Sequence, residues 1–77
     1  MNRAEQRILN KVGANLRAER ARLGMTQEAV AQRAGMHTTQ VARMERAETD
    51  TGVAKFVRVA QALRIDPGVL FQGIEHY

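Results

Sequence analysis

TQEAVAQRAGMHTTQVARMER, residues 26–46, reads as two short helices joined by a tight turn. Thr26 suits an N-cap, and Gln27 and Glu28 follow in the first turn, where a carboxylate meets the positive end of the helix dipole. Ala29, Val30 and Ala34 recur at helical spacing over about two turns. Gly35 then supplies the positive φ that stops a helix. Met36 is apolar and can return to the core. His37 or Thr38 can cap a second helix that turns Val41, Met44 and Glu45 inward. The opposite face of that helix carries Thr38, Thr39, Gln40, Arg43 and Arg46, a row of hydrogen-bonding groups without a large apolar side chain.

Two short helices with this turn and this polar outer face have the design of a helix-turn-helix, whose second helix enters the DNA major groove. The run GMTQEAVAQRAGMHTTQVARMER resembles the Cro/CI type (Xre-like) family, which includes phage-type repressors and restriction–modification controller proteins. The likeness extends from about Val12 to Ile74. It implies an all-α, five-helix, lambda-repressor-like DNA-binding domain. It also implies that Gln27 grips a phosphate, and that Arg20 and Glu45 form an ion pair tying the first helix to the third. Such a pair fixes helix orientation more than it adds net stability.

The chain has 77 residues, enough for one domain, 1–77, with residues 1–11 as an N-terminal extension of the first helix. It has no cysteine, hence no disulfide framework and no thiolate metal site. His37 and His76 are too few and too far apart to suggest a metal, and no cofactor motif is present. No apolar run approaches the ~18–20 residues of a membrane span, and no signal-peptide pattern opens the chain. A soluble, cytoplasmic protein is the expectation. The net charge is +4 and is unevenly placed. Residues 1–46 hold nine Lys/Arg against four Asp/Glu, whereas residues 47–77 hold three against four. The positive excess lies with the motif, as a phosphate-facing surface requires.

In chain order, Met1 and Asn2 are expected to fray. Ile8, Val12, Leu16 and Leu23 suggest one long first helix from Glu5 to Leu23, stopped by Gly24 and weakened at Gly13. Met25, Met36 and Met44 read as core packing. Ala47–Thr51 is a polar connection in which Ala47 and Thr51 stand where the family usually has Gly and Pro. Alanine resists the left-handed conformation, so a longer third helix or a different exit is expected. Glu48 and Asp50 replace the basic residues that relatives often carry there. Asp50 or Thr51 would cap a fourth helix, Val53 to Leu63, burying Val53, Phe56, Val57, Ala60 and Leu63. Arg64 stands where the family often has Gly. Asp66-Pro67 starts a fifth short helix with Val69, Leu70 and Ile74 on its apolar face, ended by Gly73.

The expected function is sequence-specific binding of double-stranded DNA by a transcriptional regulator, with the helix from about Thr38 to Arg46 in the major groove. Thr38, Thr39 and Gln40 would meet base edges, with Gln40 suited to adenine and Arg43 to guanine O6 and N7. Arg46 would meet a phosphate and His37 a backbone group. Arg17 and Lys11 are possible outer contacts. A short recognition helix reads few base pairs, which favours a homodimer on a two-fold operator, with Phe71 and Ile74 as candidates for its surface. The alternative is a protein-interaction module of the same fold, antitoxin-like or dependent on a partner. Enzymatic residues are lacking: there is no cysteine nucleophile, no close His–carboxylate arrangement and no glycine-rich phosphate loop.

Overall fold

Asn2 starts the first helix rather than fraying: its side-chain oxygen accepts the Glu5 N–H at 2.9 Å and satisfies one of the orphan donors of the first turn. The computed structural model describes residues 1–74, so His76 lies outside the described residues. The helix so begun, α1, spans Arg3–Arg22, about 30 Å of helix in a molecule 34 Å long. Leu23 is its C-cap, and Gly24 follows at φ 68°. Thr26 caps α2, Gln27–Ala34, by accepting the Ala29 N–H at 3.0 Å. Gly35 ends α2 in the left-handed conformation. α3 spans Thr38–Glu45, with His37 as N-cap and Arg46 as C-cap. α4 spans Val53–Leu63, and a 3-10 helix, Pro67–Phe71, follows. The architecture is all-α: four α-helices and a terminal 3-10 helix, with no strand among the described residues.

Several expectations are corrected in detail. On the first helix Val12 and Leu16 are buried as expected, but Ile8 and Leu23 are exposed and Leu9 completes the buried face. Leu9, Val12 and Leu16 follow i, i+3, i+7 spacing, so Leu9 shares their stripe and Ile8, about 100° round the helix from Leu9, falls at its edge. Val53 is 70% exposed and Val57 half-buried; Val59 takes the buried place beside Phe56, Ala60 and Leu63. The cap of α4 is Gly52 at φ 86°, not Asp50 or Thr51. Asp50 instead accepts the Gly52 N–H at 3.2 Å and turns the loop ahead of the helix. The fifth element is a 3-10 turn that closes at Phe71, two residues before Gly73. Asp66 caps it by accepting the Gly68 N–H at 2.7 Å.

The core gathers Leu16 from α1, Val30 from α2, Val41 and Met44 from α3, Val59 from α4 and Leu70 from the 3-10 helix, all fully buried. Met25 and Met36 pack against this cluster from its edge. α2 rests on α3 and α4, and α1 runs beneath α3 and the 3-10 helix. Asn15 holds that last contact: its amide donates to the carbonyls of Leu70 and Gln72 at 2.9 and 2.8 Å. Burying one face of every helix against one shared core is what lets elements of 8 and 11 residues persist, since helices this short are marginal alone.

Candidate nucleic-acid interface

α3 shows two faces. Val41 and Met44 are buried, while His37, Thr38, Thr39, Arg43 and Arg46 are exposed together on the other side. Gln40 lies between them, half-buried, and its Oε1 accepts the His37 N–H at 3.3 Å. The exposed face therefore offers two hydroxyls, an amide already turned toward the helix start, and two guanidinium groups. This set can meet both base edges and phosphates.

The placement of α3 is determined by contacts on its inner side. Gly13 lies where α1 crosses α3: a Cβ there would stand 2.6 Å from the carbonyl oxygens of both Met44 and Glu45. The helix runs through Gly13 unbroken, so its lack of a side chain serves the close approach of two backbones rather than marking a weak point. An isolated glycine inside a strong helical pattern is the sequence signal for such a contact.

Arg20 and Glu45 meet as a two-bond pair, Nε to Oε2 at 2.5 Å and Nη2 to Oε1 at 3.0 Å. The side chains are 18% and 4% exposed. Arg20 also donates to the Met25 carbonyl at 2.9 Å. Gln27 donates to Glu45 Oε1 at 3.1 Å. One carboxylate on α3 thus binds residues from α1 and α2 at once. Its hydrogen bonds hold the Arg20 guanidinium above the ordinary arginine value, against the opposing push of burial. The Gln27 amide carries two protons, and this bond uses one of them.

The exit from α3 departs from expectation. Ala47 takes the left-handed conformation, φ 56°, despite its Cβ, and is buried. The helix therefore stops as a glycine would stop it: Ala47 N–H reaches the Met44 carbonyl at 3.2 Å and Glu48 N–H the Arg43 carbonyl at 2.9 Å. Gln6 locks the turn by donating to the Ala47 carbonyl at 3.0 Å, which gives the N-terminal extension a definite task. The turn sets Glu48 beside Arg46, with bonds of 2.6 and 3.2 Å. Arg46 is raised above its ordinary value by this hydrogen bond, and the Glu48 carboxyl is lowered by Arg46 first, then by Arg43.

Away from α3, Arg58 donates to the Ala34 and Gly35 carbonyls at 2.6 and 3.0 Å, buttressing the turn between α2 and α3 from α4. Sequence reading missed Gln6, Asn15 and Arg58, because polar side chains that meet distant carbonyls leave no periodic trace. Lys11 lies against Gly73, on the side of α1 that meets the C-terminal segment. Among the described residues no group of three or more metal-ligating side chains occurs, and no helix is long and apolar enough to cross a membrane.

A helix-turn-helix family model (HTH_3) matches residues 16–70. Among solved structures, the restriction-modification controller protein C.AhdI from Aeromonas hydrophila is 33% identical, with a TM-score of 0.79 over 82% of this chain and 96% of its own. An HTH_3 family transcriptional regulator from Vibrio cholerae has a TM-score of 0.83 at 21% identity, over 87% of this chain and 38% of its own. A point mutant of the restriction-modification controller protein C.Esp1396I gives 0.78 at 24% identity, over 87% of each chain. No curated protein matches the chain. With a family model spanning most of the chain and the α2–turn–α3 geometry to match, the chain belongs to the helix-turn-helix family of Cro/CI (Xre-like) type, a family of non-enzymatic DNA-binding regulators.

Proposed function

We propose that this protein is a sequence-specific transcriptional regulator that binds double-stranded DNA as a homodimer, laying α3 in the major groove of each half of a two-fold operator. The observation that carries this reading is the exposed row Thr38, Thr39 and Arg43 on a helix fixed from behind by Gly13 and by the Arg20–Glu45–Gln27 cluster. Base readout needs side chains held to within fractions of an ångström, and a helix tied to two neighbours supplies that.

Thr38 and Thr39 open α3 and reach the base edges first. Gln40 must exchange its bond to the His37 N–H for adenine, or stay as a cap. Arg43, one turn on, takes guanine O6 and N7. Gln27 gives its second amide proton to a phosphate, His37 meets the backbone, and Arg46 meets a phosphate at the far end of α3. The 33% identical relative bears the name of a restriction-modification controller, which supports a small stand-alone regulator of that kind.

For the dimer, the supporting observation is a groove of about 230 Å³ bordered by Ile8, Val53, Phe56 and Phe71. Ile8, Val53 and Phe71 are among the exposed large apolar residues, which gives a second copy an apolar surface to cover. Ile74 is half-buried and packs on the core, so Phe71 is the stronger of the two dimer candidates.

Selection of bound sites from random duplexes, followed by titration at two salt concentrations, tests the proposal. A symmetric motif with half-sites about one DNA turn apart is the expected outcome. Weak binding without a motif, collapsing as salt rises, would overturn it and turn attention to a protein partner.

A further inference from the structure

The Arg46–Glu48 pair sits on a turn whose backbone is itself held by hydrogen bonds. Ala47 adopts a strained left-handed turn, its carbonyl is held by Gln6, and the Glu48 N–H is held by the Arg43 carbonyl. These contacts fix the backbone from which the Glu48 side chain projects toward Arg46. Yet both partners are about half exposed, 56% and 49%, and pairs of that kind add little to stability. The geometry offers another use. Glu48 takes Nε and one proton of Nη2, the side edge of the guanidinium. Five N–H donors lie on that plane, so the end edge, built from Nη1 and the outer proton of Nη2, stays open to a second two-bond acceptor.

Resting on the DNA-binding reading above, we propose that Glu48 is a positioning residue: it holds the Arg46 guanidinium so that its end edge takes a DNA phosphate with two bonds, and so fixes the register of α3 on its operator. Arg46 is the C-cap of α3, and a phosphate clamped there sets how far the helix enters the groove. A loose complex on random DNA uses the charge of Arg46 but not its orientation. Glu48 therefore favours the cognate site although it is an acid close to the phosphates.

A positioning role for Glu48 acts opposite in sign to plain electrostatics. Removing an acidic residue raises the net charge by one, and charge alone would strengthen binding to every duplex. Glu48→Ala and Glu48→Gln should instead weaken cognate binding by roughly 3–10-fold, the cost of immobilising one rotamer-rich side chain. Binding to random duplex should hold or rise, so the specificity ratio falls. In an Arg46→Ala background the same substitutions should cause no further cognate loss.

The measurement is a titration of wild type, both Glu48 variants, Arg46→Ala and the double variants against the selected duplex and a random one, with helicity and thermal midpoint recorded for each. A parallel gain on both duplexes would show that Glu48 only repels DNA, and would overturn the inference. A cognate loss that persists without Arg46 would overturn it too. Wild type binding the selected duplex no better than the random one would instead defeat the DNA-reading proposal itself.

Discussion

Glu45 is the residue on which the interface turns, because its carboxylate answers Arg20 and Gln27 together. Removing one member of such a pair leaves a charge without its partner in a site where Glu45 is 4% exposed. Arg20→Ala should therefore cost about 3 kcal/mol of stability, measured by denaturant unfolding, far more than an exposed arginine would. The Glu48 carboxyl gives a second test at this scale. Arg46 and Arg43 hold it below 4.5, the ordinary glutamate value. Its folded value being depressed, the favourable contribution of the pair is complete above the unfolded value and is lost as pH falls through the folded one. A proton titration followed by NMR should place the Glu48 midpoint below that of ordinary glutamates, and Arg46→Ala should return it upward. An unchanged midpoint would mean the pair does not persist in solution. The Arg20–Glu45 pair was legible from the sequence through the family resemblance. The Arg46–Glu48 pair was not, because a turn closed by a left-handed alanine carries no sequence signature.

At the level of elements, glycine and its absence decide the boundaries. Gly24 and Gly35 could be read as helix stops because each takes the positive φ that favours glycine. Ala47 and Arg64 take the same conformation against their own preference, at φ 56° and 57°. Helix-ending backbone bonds accompany it at both, joined at Ala47 by the bond from Gln6, and residue type alone could not disclose it. Arg64 is exposed, so Arg64→Gly should relieve the strain and raise stability by about 0.5–1 kcal/mol, after allowing for the greater freedom of glycine when unfolded. Gly13 runs the opposite way. Propensity favours alanine in a helix by about 1 kcal/mol. Gly13→Ala should nonetheless destabilise by about 2 kcal/mol or more, because the new Cβ meets two backbone carbonyls that cannot move aside. It should also weaken cognate DNA binding by shifting α3. A stability gain in the thermal midpoint would refute the close crossing. The buried stripes of α1 and α4 were legible at Val12, Leu16, Phe56, Ala60 and Leu63, but their edges were not. Ile8 and Leu9, or Val53 and Val59, are chemically equivalent until the neighbouring helices choose a face.

Over the whole molecule, no arginine among the described residues lines the groove at Ile8, Val53 and Phe71, whose charged borders are the carboxylates of Glu5 and Asp50. The basic half of the chain was visible in the sequence. The groove was not, since its residues come from α1, α4 and the 3-10 helix. Phe71 is 38% exposed, so Phe71→Ser should leave the fold intact while shifting sedimentation toward monomer and weakening cooperative occupancy of the two half-sites. Unchanged self-association would move the dimer surface elsewhere. The central claim is that the outer face of α3 reads base sequence. It is tested most directly by selecting bound sites from random duplexes with wild type and Arg43→Ala in parallel. The account predicts a symmetric motif for wild type and loss of preference at one base pair in each half-site for the variant. The same motif from both proteins, or equal weakening on selected and random duplexes, would contradict it.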